Sequence, residues 1–114
     1  MVALPSNFTW TNFSALATVD RRGATFTWSG GRNVAYVLIV GRATAATGFS
    51  ASFVCNAPAS AGQFTVPASV LMAMPPGPAL LYLDAFSSQQ SFTAPGLDWG
   101  FMEGRVSFTR STRF

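Results

Sequence analysis

Four carboxylates (Asp20, Asp84, Asp98 and Glu103), seven arginines and one thiol, Cys55, make up nearly all the ionisable chemistry of this chain; histidine and lysine are absent. That removes the commonest general base, the commonest metal ligand and the usual Schiff-base nucleophile. Asp98 and Glu103 are the carboxylates nearest in sequence, with Gly100 and Gly104 bending the chain around them. Glycoside hydrolysis uses two carboxyl groups, one protonated and one ionised, and a bulge at Gly104 would aim a side chain into a cleft. These two are therefore the weak catalytic candidates of a small glycoside hydrolase. Against this, Asp98 alternates with Leu97 and Trp99, which places it on the solvent side of its strand. No serine sits in a G-x-S-x-G elbow, and no histidine or lysine base is present to activate one. The reading leans away from an enzyme.

Zinc and copper sites in their usual form cannot be assembled without histidine and with a single cysteine. Calcium needs six to eight oxygens, and no D-x-D-x-D loop appears. No metal and no cofactor are expected. Cys55, with Phe53 and Ala51 on its face, reads as a small buried hydrophobe. Aromatic side chains are the remaining candidates, because sugar rings stack their C–H groups on exposed π-faces. Trp10 lies near the N-terminal edge, and Tyr36 and Tyr82 lie on strands that are apolar on both faces. These three are the candidate ligand-binding residues.

The arginines are scattered apart from Arg21-Arg22 and a C-terminal trio, whereas nucleic acid demands a clustered basic stripe. Nucleic-acid binding is not expected. No apolar run reaches the ~18 residues of a membrane span. Residues 1–6 read as a linker remnant with no signal peptide in view, so that a protein working outside the cell would be represented by a mature form or by an excised domain with an added Met. With charged residues at only 10%, the surface must be covered by Ser, Thr, Asn, Gln and Gly.

The elements that must position these residues follow from period-two alternation, clearest in Phe49-Ser50-Ala51-Ser52-Phe53-Val54-Cys55. Strands are expected at Asn7–Asn12, Ala24–Ser29, Val34–Val40, Phe49–Cys55, Phe64–Val66, Leu80–Phe86, Ser91–Ala94, Leu97–Met102 and Arg105–Thr112, with Leu16–Val19 as a short edge segment. Pro67–Met74 is the one helix-like segment, opened by a proline and stopped by Pro75-Pro76. Seven to nine short strands with frequent turn signals predict an all-β, antiparallel two-sheet sandwich forming a single domain over residues 1–114. The expected core is Phe26, Trp28, Leu38, Val40, Phe49, Phe53, Phe64, Leu81, Leu83, Trp99 and Phe101.

Three segments carry a resemblance. They are Phe26-Thr27-Trp28-Ser29-Gly30-Gly31, then Ala57 to Pro67 with Val70-Leu71, then Phe92-Thr93-Ala94-Pro95-Gly96-Leu97-Asp98-Trp99-Gly100-Phe101. Their order and spacing resemble a C-terminal module of large secreted proteins of soil Acidobacteria. The resemblance spans about Phe8 to Thr112 and implies an immunoglobulin-like sandwich at the cell surface or secreted. Trp99 departs from it, a smaller aromatic being expected there. The expected role is a non-catalytic module for adhesion, spacing or weak glycan binding, with polysaccharide or other surface proteins as partners. Self-assembly as a weak oligomer is the other alternative, through an edge strand at Asn7–Asn12 or Arg105–Thr112.

Overall fold

A computed structural model describes residues 5–114. Nine strands and one short helix follow in order: β1 (Ser6–Trp10), β2 (Gly23–Arg32), β3 (Tyr36–Thr44), β4 (Ser50–Pro58), β5 (Gln63–Pro67), α1 (Ala68–Leu71), β6 (Pro78–Phe86), β7 (Gln90–Phe92), β8 (Gly100–Met102) and β9 (Arg105–Arg113). All strand pairings are antiparallel. One sheet has the order β1-β2-β5 and a second β4-β3-β6-β9, while β7 and β8 pair as a separate hairpin. The proposed linker at 1–6 lies mostly outside the described residues, and Ser6 already belongs to β1.

The two larger sheets share one hydrophobic core. From the three-stranded sheet come Phe8, Trp10, Ala24, Phe26, Trp28 and Val66. Val37, Ile39, Ala43, Phe53, Ala57, Leu81, Leu83 and Ala85 face them from the four-stranded sheet. Trp28 closes the gap with a polar tie, its Nε1–H donating to the Ala59 carbonyl at 2.9 Å. The helix predicted over Pro67–Met74 is a single turn, Ala68–Leu71, which inserts Leu71 into the core. Arg21 holds the end of that turn, donating from Nη2 to the carbonyls of Met72 (3.1 Å) and Met74 (2.7 Å). Leu16–Val19 is not a strand. The segment Phe13–Leu16 forms a 3-10 turn that buries Leu16, with Val19 buried beyond it. Asn12 sets up this turn by accepting from Trp10 Nε1 at 2.9 Å and donating to Thr25 O at 2.7 Å.

Several expected core residues face elsewhere. In β3 the buried positions are Val37, Ile39, Gly41 and Ala43, and Leu38 and Val40 take the outer face. The strand runs past the expected end at Val40 to Thr44, and at Gly41 the Phe53 ring of β4 occupies the space a side chain would need. Phe49 lies just before β4 in a tight turn, Ala45 N–H donating to Phe49 O at 2.7 Å, and is 59% exposed. Trp99 and Phe101 are exposed as well, since the hairpin that carries them has no second layer above it. Phe64 is half-buried against the core.

Candidate functional site

Phe86 of β6 pairs directly with Arg105 of β9, so residues 87–104 form an excursion from an otherwise continuous strand pair. Its base is fastened in two places. Ser87 N–H donates to Gly104 O at 2.9 Å, and the buried Ser87 Oγ accepts from Gly104 N–H at 2.7 Å. Gly104, expected as a bulge, is thus a reciprocal clasp. The second fastening joins two residues that the sequence offered separately: Tyr36 Oη donates to Glu103 Oε2 at 2.8 Å. The Tyr36 ring lies parallel to Phe86 with centroids 4.9 Å apart, and the Arg105 guanidinium covers Phe86 at 5.9 Å. Burial, and then the Glu103 hydrogen bond and charge, push the Tyr36 phenol above its ordinary value.

Beyond this base the chain pairs Gln90 with Met102, Ser91 with Phe101 and Phe92 with Gly100. Phe92 lies over Gly100, where a Cβ would come within 2.8 Å of its ring. Leu97, Trp99, Phe101 and Met102 are left exposed, with Trp99 65% accessible and its ring 5.0 Å from that of Phe101. A hollow of about 300 Å³ beside Trp99 is lined by Ser91, Phe92, Thr93, Asp98 and Trp99. It sets hydroxyl and carboxylate groups around one exposed indole.

Asp98 and Glu103 occupy opposite ends of β8. Asp98 borders the exposed hollow, and Glu103 is held by Tyr36 at the hairpin base. Trp10 belongs to the core, 3% exposed, stacked on Phe26 with centroids 5.5 Å apart and its N–H used by Asn12. No face of that ring is open to a ligand. Tyr82 sits half-buried on the outer face of the four-stranded sheet, in a hollow of about 330 Å³ shared with Val40, Arg42, Asp84, Arg105, Ser107 and Thr109. Asp84 Oδ1 is enclosed there without a hydrogen-bond partner. Cys55 is half-buried, and desolvation raises its thiol above the ordinary value, which keeps it un-ionised.

Trp99 and Phe101 were read from sequence as core because they alternate on an apolar face. Two local signals point the other way. The flanking stretches Ser87–Ser91 and Thr93–Gly96 are rich in turn and polar residues, and the paired segments are only three residues long.

Arg42 and Arg105 share the hollow on the outer face of the four-stranded sheet, and Arg21, Arg22 and Arg110 are engaged elsewhere. Arg21 caps α1, Arg22 forms an exposed ion pair with Asp20 at 2.8 Å, Arg105 covers Phe86, and Arg110 lies over Phe13 at 4.8 Å. Among the described residues, no group of three or more Cys, Asp or Glu side chains comes together as a metal-ligand set. Among the described residues, no helix is long and apolar enough to cross a membrane.

The Tyr36 clasp has a measurable consequence. Its raised phenol means the folded state holds the proton more tightly than the unfolded chain does. The associated stabilisation is complete below the ordinary tyrosine value near 10 and is lost as pH rises through the elevated folded value. Tyr36 ionisation, read as the tyrosinate absorbance lost in Tyr36→Phe, should therefore come only above the ordinary value, with faster amide exchange in β7 and β8 accompanying it. Tyr36→Phe should weaken hairpin docking by about 0.5–1.5 kcal/mol. A difference signal at the ordinary value, with exchange unchanged, would contradict it.

Comparison with protein-family models, with curated proteins and with solved structures finds no match to this chain.

Proposed function

We propose that this chain is a non-catalytic, immunoglobulin-like binding module working at the cell surface or outside the cell, and that its β7–β8 hairpin is the ligand-contacting element for weak glycan binding. One observation carries the reading. Trp99 is a large indole left 65% exposed on a fastened hairpin, beside a hollow lined by Ser91, Thr93 and Asp98. An exposed indole face accepts the C–H face of a pyranose ring, and neighbouring hydroxyl and carboxylate groups supply hydrogen bonds to its hydroxyls. The immunoglobulin-like assignment is supported by the three-stranded and four-stranded antiparallel sheets over a common core. The resemblance carried by the Trp28, Ala57–Pro67 and Phe92–Phe101 segments supports the surface setting.

The test is titration of the protein with soluble β-linked and α-linked oligosaccharides, by calorimetry and by tryptophan emission. Trp10 and Trp28 are buried, so a ligand-induced change in emission reports Trp99. Trp99→Ala is expected to weaken binding by roughly thirtyfold, equivalent to about 2 kcal/mol. Its melting temperature should stay near that of the parent. The proposal fails if no oligosaccharide binds, or if Trp99→Ala binds as well as the parent.

A further inference from the structure

The two main sheets end in four edge strands: β1, β5, β4 and β9. An edge presents unpaired N–H and C=O groups, and proteins usually blunt it with charge, proline, a bulge or a cover. Three of the four are blunted. β1 and β5 are five residues each, β1 carrying Asn7 at a φ of 56° and β5 ending in Pro67. The end of β9 is covered by the 3-10 region, with Val19 N–H donating to Arg113 O at 2.9 Å and Thr112 Oγ1 to Leu16 O at 2.7 Å. It also carries Arg105, Arg110 and Arg113. These two strands, β1 and β9, cover the segments that the sequence suggested for assembly.

β4 has no charge, bulge or cover along its length, and its single proline, Pro58, stands at its last position. Its nine residues, Ser50-Ala51-Ser52-Phe53-Val54-Cys55-Asn56-Ala57-Pro58, contain no charged side chain, and its register against β3 runs unbroken from Tyr36↔Pro58 to Thr44↔Ser50. The direction of its free groups can be assigned. Ala45 N–H donates to Phe49 O and Ala59 N–H to Ala35 O, each continuing the β3–β4 ladder at one end. Hydrogen-bonded pairs alternate along an antiparallel ladder, so the odd-numbered residues of β4 bond β3. Ser52, Val54 and Asn56 therefore turn both N–H and C=O toward the open side. Val54 is also 64% exposed on the outer face.

We propose that β4 pairs with β4 of a second copy of this chain, antiparallel about a two-fold axis at Val54, joining the two four-stranded sheets into one of eight strands. The strand is self-complementary in this register. Val54 meets Val54 of the partner as a doubly hydrogen-bonded pair, and Ser52 pairs with Asn56 in the same way on both sides of the axis. Between them Phe53 faces Cys55 and Ala51 faces Ala57, so every opposition is uncharged. β9 paired with itself would instead gather its arginines along the joint. One strand against another buries less than the roughly 1,200 Å² of a standard interface, so the dimer is reversible and concentration-dependent.

The experiment is sedimentation equilibrium from about 10 μM to about 1 mM, together with amide exchange at both ends of that range. The weight-average mass should rise toward twice the monomer. Ser52, Val54 and Asn56 amides should gain at least about tenfold protection at high concentration, while Phe53 and Cys55 are protected throughout. Val54→Pro removes an N–H that β3 does not use, at an edge where proline is tolerated. Val54→Lys sets two ammonium groups against each other at the axis. Both variants should sediment as monomers at every concentration while keeping a cooperative melt. A protein that stays monomeric throughout, or a dimer that survives both substitutions, overturns the proposal. So does a dimer dissolved by Trp99→Ala, which would put the contact at the hairpin.

Discussion

Phe26→Ala is expected to lower the unfolding free energy by about 3–5 kcal/mol, the range for truncating a fully buried aromatic. Phe26 is 0% exposed at the centre of the three-stranded sheet, pairing in register with Phe64 and stacking on Trp10. Both layers pack around it, and a cavity there cannot close without moving Trp10 and Trp28 together. For a domain of this size such a loss is roughly 12–20 °C in melting temperature. Net stabilities run about 5–15 kcal/mol, so the variant sits near its folding threshold. Urea unfolding of Phe26→Ala beside Trp99→Ala measures the contrast. If Trp99→Ala costs as much as Phe26→Ala, the placement of the core is wrong.

The second large effect is expected from adding one methyl group. A Cβ on Gly41 would overlap the ring of Phe53, which is itself buried in the core with the Phe114 ring 6.4 Å away. The ring cannot leave without opening a void, and overpacking of this kind costs about 1–3 kcal/mol. Because the cost resides in a single pair, Phe53→Leu should recover much of it. A cycle of Gly41→Ala, Phe53→Leu and the double variant should show coupling of at least about 1 kcal/mol. Additive changes would mean that the strand relieves the overlap by shifting its backbone.

These two sites show what the sequence could and could not convey. In β4 every second residue from Ala51 to Ala57 is small or apolar, with Ser52, Val54 and Asn56 between, and the buried face follows from that pattern despite the apolar Val54. The all-β class and most strand positions follow the same way. The stretch Val34–Val40 is apolar on both faces, so alternation cannot say which parity turns inward. The pairing decides it: Val37 lies opposite Ala57 and Ala85, and Ile39 opposite Cys55 and Leu83. Trp99 and Phe101 mark a different limit. Hydropathy measures the tendency of a side chain to leave water, and burial also requires a neighbouring layer to receive it. The hairpin within residues 87–104 is a two-stranded sheet of its own, so that layer is missing and the apolar face stays outward. Tyr36 and Glu103 stood out separately, but their meeting depends on the Phe86–Arg105 pairing that brings the hairpin base over β3.

The directions of β1 and β9 carry a mechanical consequence. β1 begins beside Arg32 at the Tyr36 end of the sandwich, and β9 ends beside Pro78 at the far end. Tension applied at Ser6 and Arg113 thus drags each terminal strand lengthwise along its neighbour. The hydrogen bonds of both ladders bear the load together, where a peeling geometry would strain them one at a time. A domain strung end to end in this way yields to force at the rate of its shearing barrier, and equilibrium stability has little say in the outcome.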